Sequence, residues 1–353
     1  MREIPPTGSG GRRNLPGGRY RDFDGEVRLP GEPRPSSAVL RAVRRIAGGL
    51  LLVVLTVVLV VSGALFAMLH HHAHPPRVVS DENPSTLFTH YEDAAFTSPD
   101  GVSLTGWWLP GKAGMPAIIL CHDRGSSRAS LMGLATRLSE SEYPILIFDF
   151  RGHGASSGTS SFGILEKRDL LGAIDWIGAR TKADGARIGV VGIGMGAYAS
   201  ILAASERPQV RALVLDSPYP DATAEFAAAQ LPPGVLHDAV ARWSRGVYDL
   251  VYRVHSADES ATAPLRGLGD RDLLFLAPKD QEPVVQAVRG LFEAVPESKS
   301  NDKNLELLPA TRTQTLYDKD RKTYDDAVIG FFRSYLPASA RPAPVPGAAR
   351  ASR

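Results

Sequence analysis

One cysteine, Cys121, in a chain of 353 residues excludes an internal disulfide and any Cys-rich zinc site. Net charge is scarce too: 40 basic against 38 acidic residues leave +2, too balanced to point to a nucleic-acid partner. No internal repeat is present. Histidine runs out early, and none of the nine lies beyond His255.

What is there begins with a long apolar run, "IAGGLLLVVLTVVLVVSGALFAML", residues 46–69, uncharged over 24 residues. A helix of that length rises roughly 36 Å, enough to span a bilayer. The run exceeds the roughly 7–15 apolar residues of a cleavable signal, and no A-x-A site follows it, so a retained anchor is expected. Arg41, Arg44 and Arg45 flank its start, and the next fixed charge after it is Arg77. Positive charge stays inside, which predicts a single-pass protein of the cell membrane with its N-terminus in the cytoplasm and its large C-terminal part outside.

Residues 1–45 read as a disordered basic cytoplasmic tail, 70–85 as a linker and 337–353 as a disordered Pro/Ala-rich tail. The "HHHAH" stretch at 70–74 has metal-binding residue types, but its reading is a solvated juxtamembrane linker, and no metal or cofactor is expected.

From about residue 86 to 336 the pattern becomes regular. "VSLTGWWLP" alternates like an exposed antiparallel strand. The short apolar runs "AIILCHD", "PILIFDF", "RIGVVGIG", "VRALVLD", "DLLFLAPKD" and "NLELLP" then alternate with helical stretches. Continuous apolar strands separated by helices predict a mostly parallel sheet covered on both faces, the α/β class. Residues 221–262 interrupt the alternation with helical sequence broken at Pro232-Pro233, and are expected to cap the carboxyl edge of the sheet.

The chemistry turns on "RIGVVGIGMGAYAS". Gly192, Gly194 and Ala197 satisfy G-x-G-x-x-G/A between a strand and a helix, and Asp216 stands about 20 residues on, as in a dinucleotide site. The wider chain opposes that reading. Three strand-helix units precede the glycines, where a dinucleotide fold would begin, and the insert after Asp216 is not a βαβ unit.

The segments "AIILCHDRGSS", "LIFDFRGHGASSG", "GILEKRDLLGAIDWI", "GVVGIGMGAYASILAA" and "ALVLDSPY" occur in the order and spacing of the α/β-hydrolase superfamily. They most resemble its serine-hydrolase branch of membrane-anchored and cytosolic esterase and peptidase-like members. The resemblance covers residues 86–336 and implies an eight-stranded, mostly parallel sheet with helices on both faces and a small helical cap at about 221–262. It also implies a nucleophile elbow, G-x-S-x-G, at Gly192 to Gly196.

At the serine's position stands Gly194, which offers no hydroxyl for an acyl-enzyme. At the histidine's position, in the loop after the last strand, stands Arg312 (or Thr313 in the neighbouring register), and arginine cannot act as a base at neutral pH. Asp280 matches the acid after the seventh strand. The oxyanion donors implied by the resemblance are the amides of Arg124 and Met195, with Asp123 where H-G-x would place glycine, so that a carboxylate opposes a developing oxyanion.

Cys121 and Ser200 read as packed side chains. His122 and His153 read as loop supports, with His153 far from the elbow; only His237, in the cap, is placed to overhang the site. The expectation is a degenerate triad: a pseudoenzyme that binds an acidic or lipid-like ligand, or a protein partner in the same envelope. An esterase or acyl hydrolase using unconventional residues is the alternative, and a dinucleotide-binding oxidoreductase the third.

Overall fold

Runs of uninterrupted apolar residues form the centre of the sheet because each can be buried on both sides. Ala117–Cys121 (β3), Ile145–Phe148 (β4) and Ile188–Ile193 (β5) are buried along their whole length. Val210–Asp216 (β6) and Asp272–Pro278 (β7) are buried but for one residue each, and Lys303–Leu308 (β8) closes that side. Glu92–Thr97 (β1) and Ser103–Leu109 (β2) form a hairpin at the other edge. In this computed structural model the eight strands lie in the order β8-β7-β6-β5-β3-β4-β2-β1. All pairings from β4 through β8 are parallel, and β2 joins β4 antiparallel. The residues described are 20–21, 27–28, 37–74, 76–77, 85, 90–181, 187–223, 237–297, 302–314 and 316–338.

Alternate residues of each strand feed two cores. Ile119, Val190, Leu213 and Phe275 face one side, where helices Glu166–Thr181 (α3), Met195–Glu206 (α4) and Glu282–Ala294 (α7) contribute Ile174, Ile201 and Val288. Ile118, Val191, Val214 and Leu274 face the other, against Leu134 of Met132–Ser139 (α2) and Val328 and Phe332 of Asp318–Tyr335 (α8). Burial on both faces is what keeps so apolar a sheet out of water.

One expectation is corrected. β2 is antiparallel as its alternation predicts, but it is not an exposed strand: Gly106 to Leu109 are all buried. It lies inside the sheet between β1 and β4. The Arg128 guanidinium covers Trp107 at 4.3 Å, and Trp176 packs edge-on to Trp108.

After β6 the chain leaves the sheet and returns through His237–Tyr252 (α5) and Thr262–Arg266 (α6). Residues 224–236, including the expected joint at Pro232-Pro233, lie outside the described residues, as does the side chain of His237. Tyr252 donates its hydroxyl to the Ser160 carbonyl at 2.7 Å and Tyr248 donates to that of Ser161, which ties α5 to the loop after β4.

The chain divides into two units, residues 1–61 and 62–353. The first holds a two-residue ribbon pairing Tyr20–Arg21 with Val27–Arg28, and most of the helix Ser37–Ala73 (α1). Within α1, Ala38–His71 is 34 residues long and apolar enough to cross a membrane. The histidines at 70–74 begin within its last turn, and among the described residues no cluster of three or more metal-ligating side chains occurs.

Candidate functional site

β5 ends at Ile193 and α4 begins at Met195, so a single residue, Gly194, makes the turn from strand to helix. Its φ of 50° and ψ of −110° fall where residues with a side chain are strained. The flanking glycines are required by close packing. A Cβ on Gly192 would lie 2.5 Å from the Cα of Ala197, and one on Gly196 2.5 Å from the Cys121 carbonyl oxygen. Helix and strand therefore approach backbone to backbone.

The space above Gly194 is taken by Asp123. Its Oδ1 accepts the amide of Arg124 at 2.7 Å and the amide of Met195 at 2.8 Å. These are the two donors that the family resemblance assigns to a substrate oxyanion, and both converge on one carboxylate oxygen. A Cβ on Gly194 would stand 2.1 Å from that oxygen, so neither alanine nor serine fits while Asp123 stays in place. The residue as a whole is half-buried, but its carboxylate lies deep at the first turn of α4. Burial pushes the Asp123 carboxyl above the ordinary carboxylate range, outweighing the two amides that favour its charge.

Two buried histidines hold this loop. His122 Nδ1 donates to the Asp123 carbonyl at 2.7 Å, and its Nε2 accepts the Phe150 amide at 3.0 Å. His153 Nδ1 donates to the Arg151 carbonyl at 3.0 Å, and its Nε2 accepts the Gly125 amide at 3.1 Å. The rings lie 5.0 Å apart. Each therefore needs a free Nε2 lone pair and is neutral. Burial lowers the pKa of both, His122 to about 4. The distance expected for His153 is corrected: it is remote from the elbow in sequence, but the crossover from β4 brings it directly against the oxyanion-type loop.

The residues that the resemblance aligns with the acid and the base do not come together. Asp280 is exposed just past β7 and makes no hydrogen bond or ion pair among the described residues. The Arg312 side chain turns away from Gly194: Nη2 donates to Asp325 at 2.6 Å, Nη1 to the Ser130 carbonyl at 3.3 Å, and the guanidinium lies 5.0 Å over the Tyr324 ring. Its backbone amide donates to Asp216 Oδ2 at 2.9 Å. Ser217 donates to Asp216 Oδ1 at 2.8 Å, and burial raises this carboxyl to about 6. Asp216 is thus the anchor of the Thr311–Thr313 loop.

That arrangement removes the dinucleotide reading. Asp216 is fully enclosed and cannot reach a ribose, and Asp123 fills the helix N-terminus where a pyrophosphate would sit. Cys121 is fully buried, its thiol pushed up by desolvation. Ser200 donates to its own helix at the Gly196 carbonyl, 2.6 Å. Neither faces the site.

Two cavities flank Asp123, and both are also lined by Thr313. One, of about 390 Å³, lies over Gly194 and is walled by Ser217, Tyr219, Pro283 and Val284. The other, of about 570 Å³, lies between the Arg124–Gly133 segment and the Arg312–Leu316 loop. The sequence offers no signal for Ser217, whose hydroxyl lies 3.4 Å from that of Thr313, the residue expected at the histidine position in the neighbouring register. Sequence reasoning treated Asp123 as an opposing charge and missed it as an occupant. The available signal was local: an aspartate commonly accepts backbone amides of the residues that follow it.

With the geometry in place, comparison with known proteins is direct. The profile of the α/β hydrolase fold matches residues 116–332. An uncharacterised protein of Mycobacterium tuberculosis (strain H37Rv) is 32% identical over 150 residues, 42% of this chain and 52% of that one. WAV2, an α/β hydrolase domain-containing protein of Arabidopsis thaliana, is 29% identical over 141 residues, 38% of this chain and 45% of its own. The chain thus spans about half the length of the curated relatives it matches. Among solved structures, the esterase Pf2001 of Pyrococcus furiosus superposes with a TM-score of 0.57 at 26% identity, covering 76% of this chain and 99% of that one. Strand order, elbow and profile agree: the chain belongs to the α/β hydrolase fold family.

Proposed function

We propose that this protein is a membrane-anchored, non-catalytic member of its family that serves as a binding protein. The observation that carries the reading is the position of Asp123. Its carboxylate sits on the amides of Arg124 and Met195, above a residue that has no hydroxyl. An acyl-transfer enzyme needs those amides free for the charge that develops in the transition state. Here they are engaged by a resident carboxylate, and Arg312, bound to Asp325, supplies no base.

The N-terminal segment supports anchoring. Ala38–His71 is long and apolar enough to span, and Arg41, Arg44 and Arg45 lie at its N-terminal end. The positive-inside rule then puts the hydrolase-fold domain outside the cytoplasm. In this reading the anchor meets membrane lipid through residues 46–69, and the cavities beside Asp123 take an acidic or lipid-like ligand or a partner protein of the envelope.

A second reading, hydrolysis through unconventional residues, draws on the esterase named among the structural neighbours. One experiment separates the two. Full-length protein in neutral detergent is treated with a fluorophosphonate probe and assayed on short-chain nitrophenyl esters. No labelling and no turnover above buffer are expected. Labelling at any serine, with turnover that survives Gly194→Ala, overturns the binding-protein reading.

A further inference from the structure

The two cavities beside Asp123 differ in charge. Among the described residues, the one over Gly194 has no cationic side chain in its wall and two acids, Asp123 and Asp221. The larger one, of about 570 Å³, is lined among the described residues by Arg124, Arg312 and Arg321 against a single acid, Asp123. Arg312 is accounted for behind the wall by Asp325, which it meets at 2.6 Å, although its buried Nε has no partner. Arg124 and Arg321 have no acidic partner among the described residues. The Arg124 guanidinium lies 5.1 Å over the Phe162 ring. Among the described residues the Arg321 side chain reaches only the Leu316 carbonyl, at 3.4 Å, and is not ion-paired to Asp318 or Asp320 at the start of its own helix.

Asp123 offsets these charges only in part. Its Oδ1 is committed to two backbone amides, and it forms no ion pair with either arginine, although Arg124 favours its charged form. The rest of the lining is split. Gln314 offers its side-chain nitrogen, whereas Ser126 and Ser130 spend their hydroxyl protons on Ser130 and on the Ser127 carbonyl; Leu131, Met132 and Ile193 are apolar. Two guanidiniums that form no ion pair among the described residues, with the Gln314 amide donor, recognise a carboxylate or phosphate, and the apolar side suits a short hydrocarbon body.

We infer that this cavity is a binding site for an organic anion, a carboxylate or phosphate monoester carrying a short apolar chain, with Arg124 and Arg321 as its charge contacts. The inference rests on the binding-protein reading above and names its ligand class. A neutral molecule of the same shape leaves both guanidiniums unpaired and binds more weakly.

The test uses full-length protein in neutral detergent with three non-hydrolysable probes: hexanoate, hexyl phosphate and the neutral isostere hexanamide. Affinities are measured by calorimetry and ligand-observed NMR. Both anions, or one of them, should bind at least about tenfold more tightly than hexanamide, and Arg124→Gln with Arg321→Gln should remove that preference. Binding of only one anion identifies the head group as carboxylate or phosphate. Lys319→Gln, on the exposed face of the same helix, should change nothing. Equal binding of hexanamide overturns the inference, as does unchanged anion binding in the double variant. So does no anion binding by protein whose thermal unfolding is normal. Ester turnover by the wild type would instead strike the binding-protein reading, and the anion preference is scored independently of it.

Discussion

The Oδ1 atom of Asp123 accepts the amide of Met195 at 2.8 Å, and a Cβ on residue 194 would stand 2.1 Å from the same oxygen. The glycine at the elbow and the aspartate in the preceding loop are therefore one structural unit. A side chain at 194 cannot be accommodated unless Asp123 moves or is replaced.

That coupling sets the outcome of restoring the triad. Gly194→Ser alone should lose about 1–3 kcal/mol from the strained backbone, and more from displacing Asp123, as read by urea unfolding. It should gain no esterase activity. Adding Arg312→His should still give little, because losing an oxyanion donor costs roughly 10²–10³ in rate. Asp123→Gly on top of both changes should yield the first detectable turnover of nitrophenyl esters.

Asp123 itself should respond to shape more than to charge. Asp123→Asn keeps an oxygen on the two amides and should unfold close to wild type. Asp123→Ala strands both amides and should lose about 1–3 kcal/mol for each one that water does not reach. A larger loss in the asparagine variant than in the alanine variant would contradict the hydrogen bonds described.

The buried histidines predict an acid-side weakness. In the folded protein His122 takes a proton only near pH 4, whereas an unfolded histidine does so near 6.5. The unfolded chain binds the proton first, so stability is full above about pH 6.5 and falls as pH drops toward 4. The loss is roughly 3 kcal/mol for this group, with His153 shifting the same way. Nitrogen NMR should find His122 as a neutral Nδ1-H tautomer at pH 5.5, and His153 as the same tautomer at neutral pH. Asp216 works in the opposite sense: its carboxyl is raised to about 6, so the stability it contributes is present below about pH 4 and lost as pH rises through 6. A titration of the Asp216 carboxyl by carbon NMR measures that shift directly.

Arg151 is locked between Asp169 and Asp100, at 2.6 Å and 2.8 Å, and is almost wholly buried. Arg151→Met should cost about 3–5 kcal/mol by leaving Asp169 buried without its partner. Adding Asp169→Leu should recover much of that loss. A double variant no more stable than the single one would show that the cation, rather than the stranded carboxylate, sets the cost.

For the membrane arrangement, a reporter active only in the cytoplasm, fused after Leu336, should be silent. A partner reporter active only outside the cytoplasm should give signal. The reverse pattern would place the arginines at 41, 44 and 45 on the far side of the membrane.

Much of this molecule was legible in one dimension. Strands such as Ala117–Cys121 and Ile188–Ile193 are uniformly apolar because both their faces are covered, and that property is local enough to read from the residues. That glycine and arginine stand where the resemblance expects serine and histidine is likewise a matter of residue type, at Gly194 and Arg312. The apolar helix Ala38–His71 needs only length and composition. What the tertiary structure alone decided is where side chains from distant segments end up. The Trp107–Trp108 strand is buried because a neighbouring strand and Arg128 cover it, which its own alternation does not record. His153 reaches Gly125 only through the crossover that lays β4 beside β3. Arg312 turns to Asp325 because a helix after it in sequence supplies a buried acid. And Asp123 becomes the occupant of its own site because the amides of Arg124 and Met195, 71 residues apart in the chain, converge within hydrogen-bond distance of one oxygen when loop and helix pack. Residue type is written locally; convergence in space is a property of packing.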